Sequence, residues 1–249
     1  DLDDAMSVRG VERDGSPVTT FTAAGDVLTV PLTPPLGAEE RTTLVVRWGG
    51  TPLAGGALTF WTAPASGPAI SSLAEPFDAR TFWPCVDDPA DKAVVTLSAT
   101  VPSGYVAVSA GRGASTSEPD GRVTWRWRLP QPISTYLVSV AVGRFEEIAV
   151  EYRTADGRTM PVVGWVVPEH AAPNRARVAS MVRHLEVLSS LFGDYPYLDT
   201  KYGIVEGSFS GGMEHPTITL IGASLLGNAS RDLTDLLVHE LAHQWWGDE

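Results

Sequence analysis

The chain has 249 residues, 43% of them hydrophobic and 19% charged, and 18 basic against 30 acidic side chains give a formal net charge of −12. This composition excludes a wholly disordered chain, and the negative balance without any basic run argues against nucleic acid as a partner. No stretch approaches the roughly 20 consecutive apolar residues that a membrane-spanning helix needs, so we expect no membrane span.

The first two thirds of the chain carry short β-rich runs separated by turn residues. The run at 123–129 alternates apolar and polar residues, as a half-buried antiparallel strand does. We predict strands at 26–30, 42–48, 57–61, 94–101, 123–129, 135–142, 148–152 and 160–167, and a polar loop at 111–121. The spacing predicts a β-sandwich-like N-terminal domain over residues 1–167.

The pattern changes near Pro168. Apolar residues at helical intervals predict a long helix over 173–192, which ends at Gly193, a residue suited to a C-terminal cap. Strands at 202–206 and 217–221 follow, separated by a Gly-rich stretch, and a last helix is predicted from about residue 230 to the end. We therefore predict a mostly β domain followed, over 168–249, by the start of an α+β domain.

The last predicted helix contains the sequence His239-Glu-Leu-Ala-His243. Residues four apart lie on one face of a helix, so both imidazoles can reach one metal ion. Zinc in catalytic sites takes three protein ligands and one water, and Glu240 is placed to accept a proton from that water. A chance match is the alternative, but unpaired His and Glu among apolar neighbours would be costly. The residues therefore favour a zinc site.

Two further segments are weaker signals by themselves. In Gly211-Gly-Met-Glu-His215, paired glycines allow close backbone approach, and Glu214 can bind a free amine. The stretch from Glu75 to Ala93 is dense in charge, Pro and aromatic residues, and by composition it is a structured loop with paired or solvated charges.

Taken together and in this order, the three segments resemble the zinc aminopeptidases of the aminopeptidase N and leukotriene hydrolase family, within the gluzincin metallopeptidases. The metal helix of that family resembles residues 239–248, its exopeptidase motif resembles 211–215, and its N-terminal-domain signature resembles 75–93. The resemblance covers nearly the whole chain and implies a thermolysin-like catalytic domain after the β domain.

The resemblance implies a role for each matching residue. His239 and His243 would bind one Zn²⁺, and Glu240 would activate the water. Glu214, helped by Glu75, would bind the free α-amine of a peptide substrate. Gly211, Gly212 and Met213 would contribute to substrate binding, with the two glycines lining the cleft. The implied function is removal of N-terminal residues from peptides.

Two departures from the family pattern bear on this hypothesis. His215 stands where the family usually has Asn, and an extra metal ligand there is the minor alternative to simple variation. The family's third zinc ligand is a Glu about eighteen residues after the second His, and Glu249 lies too close to His243 to be that ligand. Its intermediate-stabilising Tyr also lies further downstream.

These departures shape three expectations. The chain, which starts at Asp1, is interpreted as the N-terminal part of a longer enzyme and is expected to be inactive alone, with Trp245 and Trp246 exposed. A non-catalytic peptide-binding or interaction module is the first alternative function. A thermolysin-like endopeptidase, which would not need Glu214 or Glu75, is the second.

Overall fold

The computed structural model of the protein describes residues 1–248. Its first part contains four antiparallel sheets, with strand orders β2-β1-β5, β3-β4, β6-β7-β12-β9 and β10-β11-β8. The strands are β1 Met6–Arg13, β2 Ser16–Val18, β3 Thr22–Ala24, β4 Val27–Thr29, β5 Leu44–Gly50, β6 Leu58–Ala63, β7 Gly67–Ser72, β8 Ala93–Val101, β9 Val106–Val108, β10 Arg112–Ser117, β11 Val123–Ile133 and β12 Ala141–Gly143.

Strand β11 shows how the alternating pattern becomes a buried face. Trp127 lies opposite Leu97 of β8 and is 4% exposed, while its indole N–H donates a hydrogen bond of 2.8 Å to the carbonyl of Ala107. The ring therefore adds apolar area to the core without leaving its polar atom unpaired. Trp125, two residues earlier on the same face, is half-buried.

The second part is a five-stranded sheet covered by helices, with strand order β13-β14-β15-β17-β16. β14, β15 and β17 run parallel, and the two edge strands pair antiparallel. The elements are β13 Glu146–Arg153, β14 Thr159–Val166, α1 Pro168–Phe192, β15 Tyr202–Gly207, β16 Gly212–Met213, β17 Thr219–Gly222, α2 Ala223–Leu226 and α3 Thr234–Ala242. This mostly β segment followed by an α+β segment confirms the predicted fold class.

Helix α1 packs on this sheet through its buried residues. Val178 and Leu185 are fully buried. Gly164 of β14 permits the close approach, because a Cβ there would lie 2.6 Å from a methyl carbon of Val178. The helix starts at Pro168, five residues before the predicted start, since proline is well suited to a first helical position. Gly193 then caps it at φ +94°, as predicted.

The hairpin β13–β14 was expected to belong to the N-terminal sandwich. Instead, β14 pairs with β15, with Val162 opposite Tyr202, so one sheet joins strands from both sides of residue 167. Single-strand periodicity predicts a strand but not its partner, which is why the sequence did not predict the pairing of β14 with β15. The division into 1–167 and 168–249 stays a prediction.

Three other predictions were wrong in detail. The predicted strand at 135–142 is a 3₁₀ turn, Thr135–Leu137, followed by the short β12, and the predicted loop at 111–121 contains β10. Helix α3 starts at Thr234 rather than near 230, because the Thr234 N–H bonds the Asp232 carboxylate at 2.9 Å. It ends at Ala242 rather than at the end of the chain, before a turn through Gly247 at φ +121°. No helix within residues 1–248 is long and apolar enough to cross a membrane.

Candidate metal centre and amine site

Helix α3 and the turn after it place His239 and His243 side by side. Their Nε2 atoms are 3.3 Å apart, and the ring planes are close to perpendicular. When two nitrogens bind the same tetrahedral Zn²⁺, each at about 2.0–2.1 Å, they lie about 3.3 Å from each other. The pair therefore fits two neighbouring positions of a zinc coordination sphere.

A hydrogen bond orients one of these rings. His243 Nδ1 lies 3.2 Å from the backbone carbonyl of Trp246, which can only accept a hydrogen bond. The proton of a neutral imidazole is then held on Nδ1, and Nε2 keeps its lone pair for a metal ion. Because the turn after α3 supplies this carbonyl, the early end of the helix serves the site.

Glu240 follows His239 on α3 and is 4% exposed. Burial, followed by the negative charges of Glu214 and Glu75, raises its pKa to about 7. Gly212 makes room for it, because a Cβ at Gly212 would lie 2.2 Å from Glu240 Oε1. Strand β16 therefore packs directly against the carboxylate that the sequence assigned as the base.

Glu214 follows β16, and the exposed Glu75 follows β7, so the two come from different parts of the fold. Both lie close enough to Glu240 to raise its pKa. Tyr136, which the sequence placed in a strand, lies near enough to Glu214, Asp248 and Glu75 for their charges to affect its pKa. Burial, then Glu214, Asp248 and Glu75, raise its pKa to about 12. Only its position in the fold, and no sequence motif, places this tyrosine at the site.

Asp248 is a second residue that the sequence gave no role, although it ends the quoted metal-helix motif. It is fully buried, and burial together with Glu214 and Glu240 raises its pKa to about 9, against an opposing effect of Lys92. Within residues 1–248, no ion pair reaches Asp248, Glu214 or Glu240. The site therefore gathers acidic groups that no Lys or Arg of the described residues neutralises, and a bound cation would favour their ionised forms.

The remaining motif residues differ in what they can contribute. Gly211 is half-buried, and its carbonyl accepts a hydrogen bond from Gly222 N–H at 2.9 Å. Met213 is 1% exposed, so its side chain belongs to the core, and a substrate contact there would come from its backbone. His215 is also 1% exposed, and burial lowers its pKa to about 3.

The described residues supply only part of a metal site. Among residues 1–248, no group of three His, Cys, Asp or Glu side chains is arranged to hold a metal ion, so His215 does not join the His pair as a third ligand. The prediction about Glu249 lies outside the described residues.

Trp246, which the sequence predicted to be exposed, is 51% exposed, and Phe192 packs edge-on against it at 4.4 Å between ring centroids.

Comparison with known proteins identifies the family. The family model described as the Peptidase M1 N-terminal domain matches residues 5–137. The chain belongs to the M1 peptidase family. This M1 chain is 29% identical over 237 residues to aminopeptidase B of Mus musculus, a match that covers 92% of the chain and 34% of that relative. It is also 29% identical over 191 residues to leukotriene A-4 hydrolase of Xenopus laevis, covering 75% of the chain and 30% of the hydrolase.

Solved structures agree with this membership. The M1 zinc metallopeptidase from Deinococcus radiodurans superposes with a TM-score of 0.81 at 27% sequence identity, over 98% of this M1 chain and 55% of that protein. The chain spans about a third of the length of the curated relatives it matches. The predicted resemblance to this family is confirmed.

Proposed function

We propose that the protein carrying this chain is a zinc-dependent aminopeptidase that removes N-terminal residues from peptides. The observation that carries the proposal is the His239–His243 pair at 3.3 Å, with the buried Glu240 on the same helix and two further glutamates near enough to raise its pKa. Relatives named aminopeptidase B and neighbours described as M1 zinc metallopeptidases support it.

His239 and His243 would hold the zinc ion, and the resemblance implies a third ligand beyond residue 249. When bound, zinc lowers the pKa of its water towards ~7 and polarises the substrate carbonyl. Glu240 would act as the general base that takes a proton from the attacking water and returns it to the leaving amine. A base with a pKa near the working pH is the most effective, and a pKa of about 7 suits Glu240 to this task.

Glu214 and Glu75 give the site its selectivity for peptide ends. Both carboxylates face a region that already contains Glu240, and within residues 1–248 no Lys or Arg forms an ion pair with Glu214. A substrate ammonium group supplies the missing positive charge. An internal peptide nitrogen carries no charge and would leave these acids unpaired, which is expensive.

The isolated 249-residue chain calls for a separate proposal. Since residues 1–248 contain no group of three metal-binding side chains, we propose that the chain alone binds zinc weakly and hydrolyses peptides poorly or not at all. Turnover by the 249-residue chain that disappears in Glu240→Gln would contradict this.

The test compares a leucyl peptide with its N-acetylated form, using the full-length zinc-loaded protein. We expect hydrolysis of the free peptide only, its loss on chelation, and its recovery with added zinc. Glu240→Gln should lower kcat by about 10²–10⁴-fold while zinc content stays unchanged. Cleavage of both peptides would favour the endopeptidase alternative. Binding of the free peptide without cleavage would favour the non-catalytic module.

A further inference from the structure

Gln244 follows the second proposed zinc ligand and has no role in the mechanism above. Its side chain is fully buried, and within residues 1–248 the amide takes part in five hydrogen bonds. A side-chain amide offers two N–H groups and two lone pairs, so this one is saturated. Such saturation of a buried polar group implies a tightly defined position.

The five bonds join two structural units. On the oxygen side, Gln244 Oε1 accepts from the backbone N–H of Thr217 at 2.7 Å and from the hydroxyl of Tyr195 at 3.0 Å. On the nitrogen side, Nε2 donates to the backbone carbonyl of Glu214 at 2.9 Å and to Asp248 Oδ2 at 2.6 Å, with a longer contact of 3.4 Å to the carbonyl of His215. One amide thus binds both ends of the 214–217 loop.

Gln244 links this loop directly to the segment that follows the metal helix, in addition to the bonds that Thr217 receives from Gly111 and Lys201. Glu214 has no ion pair among residues 1–248, so its carboxylate is not held by a charged partner. Its backbone is held by Gln244, which is covalently next to His243. Catalytic groups must be held within about 0.5 Å of their productive geometry, and a misplacement of about 1 Å can cost about 10²-fold in rate.

We propose that Gln244 is the positioning residue that sets the register between the amine-binding Glu214 and the metal-binding histidines. The inference rests on the proposed aminopeptidase function for its catalytic meaning. When Glu214 holds a peptide N-terminus, this register determines that the first peptide bond lies over the metal centre.

The experiment uses Gln244→Met, which keeps the side-chain length but removes all five hydrogen bonds, and the milder Gln244→Asn, which keeps a neutral amide that is one methylene shorter. Tyr202→Phe is the matched control, because it removes a buried hydrogen bond of 3.1 Å to Thr219 in the same core without touching Gln244. Each variant is made in the full-length zinc-loaded protein.

Two measurements are made on each variant. Calorimetry gives the Kd of leucinamide, which binds through its amine, and of acetohydroxamate, which binds a zinc ion and has no amine. Hydrogen exchange measured by mass spectrometry reports the protection of the 214–217 backbone. We expect Gln244→Met to weaken leucinamide at least tenfold, keep acetohydroxamate within about twofold, and speed exchange in the loop at least tenfold. Gln244→Asn should change the Kd of leucinamide and the exchange of the loop in the same direction as Gln244→Met. Tyr202→Phe should match the wild type in both.

Equal weakening of both ligands, or unchanged exchange in the loop, would show that Gln244 only supports the fold and would overturn the proposal. If Gln244→Met does not fold, the same criteria apply to Gln244→Asn. A wild-type protein that hydrolyses no peptide would refute the proposed function, while the exchange measurement would still decide whether Gln244 holds the loop.

Discussion

The acidic residues of the candidate metal site differ sharply from those in two exposed hairpin turns. On the outside, Asp120 pairs with Arg122 at 2.7 Å and Asp156 with Arg158 at 2.9 Å. The pKa of Asp120 is lowered by bonds from the Arg122 backbone and side chain, and the pKa of Asp156 is lowered chiefly by a bond from the Thr154 hydroxyl. At the site, the pKa values of Glu240 and Asp248 are raised.

The difference shows that the acidic groups that are unfavourable for folding lie at the candidate site. The carboxylates of the exposed turns are solvated and paired with Arg, whereas Glu240 and Asp248 are buried near other acidic groups. Carboxylates without partners are retained in a folded protein when a bound cation supplies the compensation. A zinc ion and a substrate ammonium group are the two cations that the proposed function brings to this place.

Among the variants that test this contrast, Gly212→Ala is expected to have the largest effect, a loss of catalytic rate. The new Cβ would lie 2.2 Å from Glu240 Oε1, 2.4 Å from its Cδ and 2.5 Å from its Cγ, so the Glu240 side chain from Cγ outward would have to move. We expect kcat to fall roughly 10²-fold, as for a misplacement of about 1 Å, with little change in the melting temperature. Peptidase assays and thermal unfolding of the full-length protein measure the two quantities.

Two comparison variants accompany it. A Cβ at Gly211 would meet only the ring edge of Phe209, at 3.3 Å, so Gly211→Ala should cost much less activity. A Cβ at Gly10 would meet nothing within 4 Å, so Gly10→Ala controls for the loss of glycine itself. A Gly212→Ala protein that retains wild-type kcat would show that the position of Glu240 is not set by this packing.

The helical spacing of the candidate metal ligands could be predicted from the sequence more directly than the residues that surround them. The spacing of His239 and His243 on one helix is a local property, so the pair could be read directly from the chain. Tyr136 and Asp248 reach the site only through tertiary packing, and no local pattern marks them. The position of Glu75 beside Glu240 likewise depends on the fold, and only the family resemblance pointed to it.

The same distinction explains the errors in the fold. Strand β11 and helix α1 carry a clear periodicity and were predicted close to their positions. The hairpin β13–β14 was also recognised as strands, but its partner β15 is distant in sequence and was not foreseen. Helix α3 ends at Ala242, and the turn that follows brings the Trp246 carbonyl to 3.2 Å from His243 Nδ1, a contact that apolar periodicity does not predict.

A second, smaller effect concerns His215, a buried polar residue whose ring nitrogens have no hydrogen-bond partner among residues 1–248. Its folded-state pKa of about 3 lies below the ordinary value of 6.5, so the unfolded chain binds the additional proton between these pH values. The free energy of unfolding of the wild type therefore decreases as the pH falls from about 6.5 towards 3. The loss is about 1.4 kcal/mol for each pH unit within that window.

His215→Asn removes this titration and isolates it. We expect the stability difference between the wild type and His215→Asn to shift against the wild type as the pH falls from 7 to 4.5, in urea unfolding experiments. His184→Asn is the control, since His184 is only partly buried and burial lowers its pKa without any charged neighbour. A pH-independent difference for His215→Asn would show that the imidazole is not held neutral in the folded protein.

The smallest effect on stability is expected from Asp156→Asn, in the exposed turn between β13 and β14. Asp156 is exposed and pairs with Arg158 across a turn, where water and salt screen the charges, so such pairs contribute little to stability. We expect the urea midpoint at pH 7 to stay within experimental error, and the Kd of leucinamide to match the wild type. A marked loss of stability would break the contrast between the two regions, because it would show that an exposed, fully compensated carboxylate matters as much to the fold as the buried, uncompensated ones at the site.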